Sequence, residues 1–438
     1  MIVYYFLLIL FIFHLTINFK RTLLLYLPIR IALHQGIILW PANPTIMFDS
    51  VACFMIIITY LLNRKQINAS VKFPFGFPLF LYAFSEFCSS FLASTSGSIL
   101  NFLQSIVVGV LFLYVIWYYI DSKKDLAFVV KGYSIMFTIA ILLSIFEQIT
   151  HFNPLIRLES LLLPASAPRG LIWESSQVRF GGLFRAQAFM SISISYGAYC
   201  LLFFLFYIFL VYYYPIYNYY KKIKNRIFII GLVVGTFLSG SKSPILSLII
   251  GFIPYLKTKW ILNFKILIGA IFIAAISKPL IDKIYADIYT ALTVDNYYEY
   301  QGGSSLAMRM MQLEVSLREF EKAPIIGNGT KYLAKAESYY GNELLGAESI
   351  WFELLIEKGL LGIASFIILL IYPLFVKGII HKKRYVPLIL GWLTINTMTT
   401  IPGIGNTFYY TLIILMYKAQ LLSNSNNYYD SLNYHSRI

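Results

Sequence analysis

The chain has 438 residues, of which 59% are hydrophobic and only 13% charged, with a formal net charge of +15. Soluble globular domains carry about 45–50% apolar and about 25% charged residues, so a soluble globular protein is excluded. The positive charge does not mark a nucleic-acid binder, because Lys and Arg fall in short clusters between apolar runs rather than along one continuous face.

Apolar runs of membrane-spanning length predict twelve or thirteen helical spans, at approximately 2–18, 22–40, 45–63, 74–92, 98–120, 126–147, 187–213, 227–240, 244–257, 261–277, 349–376, 385–401 and 404–421. The expected class is an all-α polytopic membrane protein. Arg30, His34 and Gln35 interrupt the second run, so the first pair also reads as one span plus an interfacial helix. The N-terminus lacks a basic n-region and a small-residue cleavage site, which predicts a retained span. Cys53, Cys88 and Cys200 all lie in apolar runs and read as small buried hydrophobes. There is no internal repeat of the kind many secondary transporters carry.

Basic residues fix the orientation. Lys20 and Arg21, Arg64 and Lys65, Lys123 and Lys124, Lys221 to Arg226, and Lys382 to Arg384 fall in alternate loops. The positive-inside rule makes these loops cytoplasmic. Two longer loops, about 148–186 and about 279–348, then lie outside. The chain divides into N-terminal spans (1–147), a first outer loop (148–186), central spans (187–278), a large outer loop with helices (279–348), C-terminal spans (349–421) and a cytoplasmic tail (422–438), expected to be disordered. The large loop has ten acidic and six basic residues, whereas the first has four arginines against two glutamates.

Candidate chemistry clusters in and beside these loops. Arg179 and Arg185 flank Gly181-Gly182 at the outer mouth of a span. Arg offers a planar fork for phosphate oxygens, and Gly lets a backbone approach a ligand closely. The plainer reading is arginine snorkelling to lipid headgroups. The turn Ser239-Gly240-Ser241-Lys242-Ser243-Pro244 carries a base at a helix N-terminus, which suits an anion, or it is a turn with one solvated Lys.

In the large loop, Arg309, Gln312, Ser316 and Glu319 have the spacing of one helix face, and Pro324, Gly327 and Gly329 then impose a turn. The helix is expected to lie on the membrane surface. Glu348, Glu353 and Glu357 sit at and below the mouth of the next span, where carboxylates face a cavity or a partner. Glu348 is a candidate general base, or a helix cap. Asp49 and Glu86 either pair with bases of the outer loops or, the plainer reading, have structural roles, and His151 is the one histidine in a functional position. There is no P-loop, no G-x-S-x-G and no H-E-x-x-H motif.

Three segments together resemble the bacterial O-antigen polymerase and O-antigen ligase superfamily. They are Arg179-Phe-Gly-Gly-Leu-Phe, Ser241-Lys242-Ser243, and the stretch from Arg309 through Pro324-Ile-Ile-Gly-Asn-Gly to Glu348-Ser and Glu357-Lys-Gly-Leu-Leu-Gly. The resemblance covers roughly 175–362. Lys242 stands where the family pattern has Arg, and Glu348 stands where ligases typically carry His.

The resemblance implies a GT-C-like glycosyltransferase of the inner membrane with a periplasmic active site. It would join undecaprenyl-pyrophosphate-linked oligosaccharide repeat units. The Glu348 departure favours a polymerase over a ligase that transfers finished polymer to lipid A-core. A lipid-linked glycan flippase is the reading from another class. Arg179, Arg185 and Lys242 would bind pyrophosphate. Arg309 and Glu348 would be catalytic, and Gly181, Gly182, Glu353 and Glu357 supporting. No metal or cofactor is implied. The expected partners are the lipid-linked oligosaccharide and the bilayer, with a chain-length regulator protein as a further candidate.

Overall fold

The computed structural model describes residues 2–33, 37–40, 46–63, 72–92, 98–162, 178–179, 183–190, 192–217, 222–256, 306–344, 347–376, 382–399 and 403–435. They form an all-α membrane protein. The helices are α1 (Ile2–Ile17), α2 (Phe19–Arg30), α3 (Phe48–Leu62), α4 (Gly76–Leu92), α5 (Ser98–Ser105), a π-helical segment (Ile106–Leu111), α6 (Phe112–Tyr119), α7 (Lys123–Thr150), α8 (Pro154–Leu162), α9 (Ser193–Tyr213), α10 (Lys222–Leu238), α11 (Lys242–Phe252), α12 (Leu306–Lys322), α13 (Tyr332–Tyr340), α14 (Ile350–Ile371), α15 (Val386–Met398) and α16 (Gly403–His435). Two small antiparallel hairpins pair β1 (Ile38–Trp40) with β2 (Ile46–Met47), and β3 (Val178–Arg179) with β4 (Leu183–Phe184).

Among the described residues, the stretches Phe102–Tyr119, Lys123–Thr150, Ser193–Tyr213 and Ile350–Leu374 are long and apolar enough to cross a membrane. Shorter apolar helices, among them Phe48–Leu62 and Gly76–Leu92, accompany them. The second predicted span is corrected. Its helix stops at Arg30, and the chain then turns into β1. At about 1.5 Å per residue these 12 residues reach only part-way across a bilayer. The tail is corrected too, because α16 continues to His435. The predicted span at 261–277 lies outside the described residues.

The centre of the bundle is α9. Its sequence is apolar on every side, and such a helix belongs in a core. Accordingly, 89% of its apolar window is buried. It packs against α10, α11, α15 and α16. Phe203 of α9 stacks on Phe137 of α7 with ring centroids 4.5 Å apart, and Trp392 of α15 stacks on Tyr409 of α16 at 5.4 Å.

Helices α11 and α15 touch backbone to backbone through glycines. A Cβ on Gly251 would stand 3.1 Å from the Pro387 carbonyl and 3.2 Å from the Gly391 Cα. A Cβ on Gly391 would stand 3.7 Å from the Ser247 carbonyl. Small residues allow such approach between membrane helices. Gly251 thus faces Pro387 and Ser247 faces Gly391, so the two helices run antiparallel. One turn further, the Lys242 end of α11 lies beside the Met398 end of α15.

Charged side chains pair at the helix ends. Lys20, which opens α2, bridges Asp121 at 2.7 Å and Asp125 at 2.8 Å, and these acids open α7. Asp125 also completes a capping box with Ser122, which starts that helix. The expected partners of Asp49 and Glu86 are corrected, because both acids pair with bases on other helices. Asp49 holds Arg30 through its Nε at 2.8 Å and its Nη2 at 2.8 Å, and Glu86 pairs with Lys358. Cys53, Cys88 and Cys200 are all unbridged; Cys53 and Cys200 are buried as predicted, whereas Cys88 is only part-buried.

Candidate active site

Two clusters form at the same end of the bundle. The first gathers around the turn between α10 and α11. Gly240 has φ +59°, a conformation that suits glycine, and a Cβ there would stand 3.1 Å from the Arg185 Cγ. This close approach lets the Arg185 Nη2 donate to the Ser241 Oγ at 3.5 Å. The Ser241 Oγ also lies 3.4 Å from the Ser193 Oγ. Lys242 is the next residue and the first of α11.

The hairpin that leads to Arg185 is fixed by the Thr150 end of α7. The Gln148 side chain donates to the Phe184 carbonyl at 2.5 Å and accepts from the Phe184 N–H at 3.2 Å. The buried Glu147 carboxylate accepts from the backbone of Gln187 at 3.1 Å and of Ala188 at 2.7 Å. His151 ends α7 in the left-handed region, with φ 52°, and its ring lies on Phe184. Within the described contacts it therefore has a packing role. Arg179 pairs its backbone with Leu183 in the hairpin. The Arg179 side chain, Gly181 and Gly182 lie outside the described residues.

The second cluster is built on α12, and the predicted helix face is real. Gln312, Ser316 and Glu319 are all buried along one side, against α14. Arg309, one turn earlier on the same face, reaches the mouth of the site. Its Nη2 donates to the Glu348 Oε2 at 3.0 Å and to the Met398 carbonyl at 2.8 Å. That carbonyl ends α15 and has no partner within the helix, and a cation at a helix C-terminus is favourable. The Glu348 N–H donates to the Gln312 Oε1 at 3.4 Å. Glu348 does not cap α14. Ser349 is the N-cap, accepting from the Trp351 N–H, and leaves the Glu348 carboxylate turned to Arg309. The Arg309 side chain is 24% exposed and that of Glu348 36%, so a ligand can reach both.

Below this pair the loop is locked into the span. Helix α14 breaks at Gly359, with φ 59° and ψ −154°. The turn after α12 fills the break. Leu360 N–H donates to the Pro324 carbonyl at 2.9 Å, and Leu361 N–H to the Ile325 carbonyl at 3.0 Å. In return, Asn328 N–H and Gly329 N–H donate to the carbonyls of Ile356 at 2.9 Å and Glu357 at 3.1 Å. Gly327, with φ +74°, lies so close that a Cβ would meet the Glu357 carbonyl at 2.3 Å. The Glu357 carboxylate accepts from the Leu333 N–H at 3.1 Å. Glu357 is therefore a tie between loop and span, two turns below Glu348. Glu353 lies half-buried within electrostatic reach of Lys358 and Glu86.

Glu319 anchors the other side of the loop. It accepts from Lys322 at 2.5 Å, from Tyr340 at 2.6 Å and from Tyr332 at 3.0 Å. Burial pushes its carboxyl up, but these donors outweigh burial and hold it below the usual carboxylate range.

The antiparallel pairing of α11 and α15 brings the clusters together. Arg185, Ser241 and Lys242 gather at the start of α11, and Arg309 and Glu348 meet at the end of α15. Sequence reasoning missed the Met398 carbonyl, Ser241 and Gln312 as the groups that hold the two arginines and Glu348. A backbone acceptor leaves no signal in residue type, whereas the spacing of Gln312 after Arg309 on one helix face was legible.

The O-antigen ligase family model matches residues 227–367. No curated protein matches the chain. The matched stretch includes Lys242, Arg309, Glu348, Glu353 and Glu357, and the docked turn at Gly359, while Arg179 and Arg185 precede it. Residues 227–367 of this chain are therefore similar to the O-antigen ligase family.

Proposed function

We propose that the protein is an O-antigen polymerase that joins undecaprenyl-pyrophosphate-linked repeat units at the periplasmic face of the inner membrane. The observation that carries this reading is the accessible Arg309–Glu348 pair at the end of α15, beside the Arg185–Lys242 cluster. A fixed cation next to a carboxylate suits transfer of a glycosyl group from a pyrophosphate.

In the reaction, a sugar hydroxyl of the incoming unit forms a bond to the anomeric carbon of the growing chain. The bond from that carbon to the pyrophosphate oxygen breaks, and its electron pair leaves with undecaprenyl pyrophosphate. Glu348 takes the hydroxyl proton. Arg309, with Arg185, Lys242 and Arg179, offsets the charge that develops on the leaving group. Because Arg309 and Arg185 are held in place before the reaction, little reorganisation of these two is needed.

The matched family model carries the ligase description, and that favours transfer to lipid A-core as the second reading. Glu348 in place of the ligase His favours the polymerase. The test supplies reconstituted protein with lipid-linked repeat units, with and without lipid A-core. Polymer and free undecaprenyl pyrophosphate from repeat units alone support the polymerase. Product that forms only with lipid A-core supports the ligase. Arg309→Ala is expected to lower the rate about 10²–10³-fold at an unchanged protein level.

A further inference from the structure

A cavity of about 340 Å³ lies apart from the arginine clusters, between α3, α4, the π-helical segment, α14 and α16, with Lys331 of the large loop at its edge. We infer that this cavity is a binding site for an uncharged sugar unit of the substrate.

The cavity is built as a site. The π-helical segment widens the helix, since the Phe112 N–H bonds to the Val107 carbonyl five residues back. Such insertions are frequent at functional positions. The Val108 carbonyl is held by the Arg30 Nη2 at 3.4 Å. Gly109 lines the cavity, and a Cβ on it would meet nothing within 4 Å, so the backbone opens directly onto the space.

The lining chooses the ligand. Asp49 and Glu86 line the wall, which repels a pyrophosphate. Each is already neutralised, by Arg30 and Lys358, so neither calls for a cation. Apart from Lys331 at the edge, what remains is neutral and polar within largely apolar walls. Gln104 and Tyr82 line it as well. Tyr410 is 8% exposed, and its hydroxyl meets no hydrogen-bond partner among the described residues. A buried hydroxyl without a partner is costly, and a ligand hydroxyl would satisfy it. An alkyl chain would leave it unsatisfied. The volume sits at the low end of small-molecule sites, about 300–1,000 Å³, which suits a mono- or disaccharide. Apolar faces with hydroxyls at the edges are the chemistry of a sugar ring. That the sugar belongs to a lipid-linked substrate rests on the proposed function; the preference for an uncharged hydroxylated ligand does not.

The test measures binding of the phosphate-free repeat oligosaccharide, released from the host's surface polysaccharide, to the full chain in nanodiscs. Saturable binding is expected for the wild type and for Gly109→Ala. Gly109→Phe projects a ring from a lining position where a Cβ meets nothing within 4 Å, and is expected to bind more than about tenfold more weakly at an unchanged Tm. Tyr410→Phe is expected to weaken binding about fivefold to tenfold. No saturable binding by the wild type, or wild-type binding by Gly109→Phe at normal Tm, overturns the proposal. Arg309→Ala separates the two readings, since it is expected to abolish polymer and keep oligosaccharide binding. Binding that depends on Gly109 in a protein that makes no polymer would remove the catalytic reading and leave the cavity assignment standing.

Discussion

At the scale of single residues, Arg309 and Glu348 divide two tasks in the proposed reaction. Arg309 is fixed from both sides, by the Met398 carbonyl at 2.8 Å and by Glu348 at 3.0 Å, and so carries its charge to a defined place. Glu348 is held by its own N–H on Gln312 and is left free to accept a proton. Glu348→Gln keeps the shape and removes the base. It is expected to lower kcat about 10²–10⁴-fold with little change in KM, measured with reconstituted protein; an unchanged kcat would remove Glu348 as the base.

Glu319 makes a pH prediction. Its folded value is depressed by Lys322, Tyr340 and Tyr332. The stability it contributes is therefore present above its unfolded value, about 4.3, and is lost as pH falls through the lower folded value. Hydrogen exchange in α12 and α13 should accelerate below about pH 4, and Glu319→Gln should flatten that acid-side change. Exchange with the same pH profile in both proteins would contradict it.

At the scale of elements, the large loop is an extension of a span, because the turn at Pro324 to Gly329 completes the hydrogen bonding of the broken α14. Gly327→Ala must place a methyl group against the Glu357 backbone while holding φ +74°. The strained conformation alone costs about 1–3 kcal/mol. The expected result is a lower Tm and faster exchange at Leu360 and Leu361. An unchanged Tm would mean that the turn does not dock.

Much of this element was legible. Glycines at 327 and 329 after Pro324 announce a turn, and the spacing of Arg309, Gln312, Ser316 and Glu319 announces a packed face. The break at Gly359 was not legible, because a glycine within an apolar run reads equally as a packing residue. The paired Glu86–Lys358 was illegible for another reason. Its members are 272 residues apart, and only the contact between α4 and α14 brings them together.

At the scale of the whole molecule, hydropathy located nearly every helix, since a span of about 20 apolar residues has few alternatives. It failed where polar groups satisfied one another. Arg30 ended a predicted span because its charge could be buried on Asp49, and the chain turned instead of continuing. The same bookkeeping of charge places Lys20 with Asp121 at one end and Arg309 with Glu348 at the other.

Sidedness can be read with cysteines. Tyr339 is 72% exposed in the large loop, and Tyr339→Cys should react with a membrane-impermeant maleimide on intact spheroplasts. Lys224→Cys should react only after permeabilisation. The reverse pattern would invert the topology.

The central claim is that these clusters build polymer from single repeat units. The most direct measurement is the lipopolysaccharide ladder of a strain lacking this gene, complemented with the wild type or with Arg309→Ala at matched membrane levels. Core plus one repeat is expected without the gene, a full ladder with the wild type, and core plus one repeat with Arg309→Ala. A core with no repeat in the gene's absence, or a full ladder from Arg309→Ala, would contradict it.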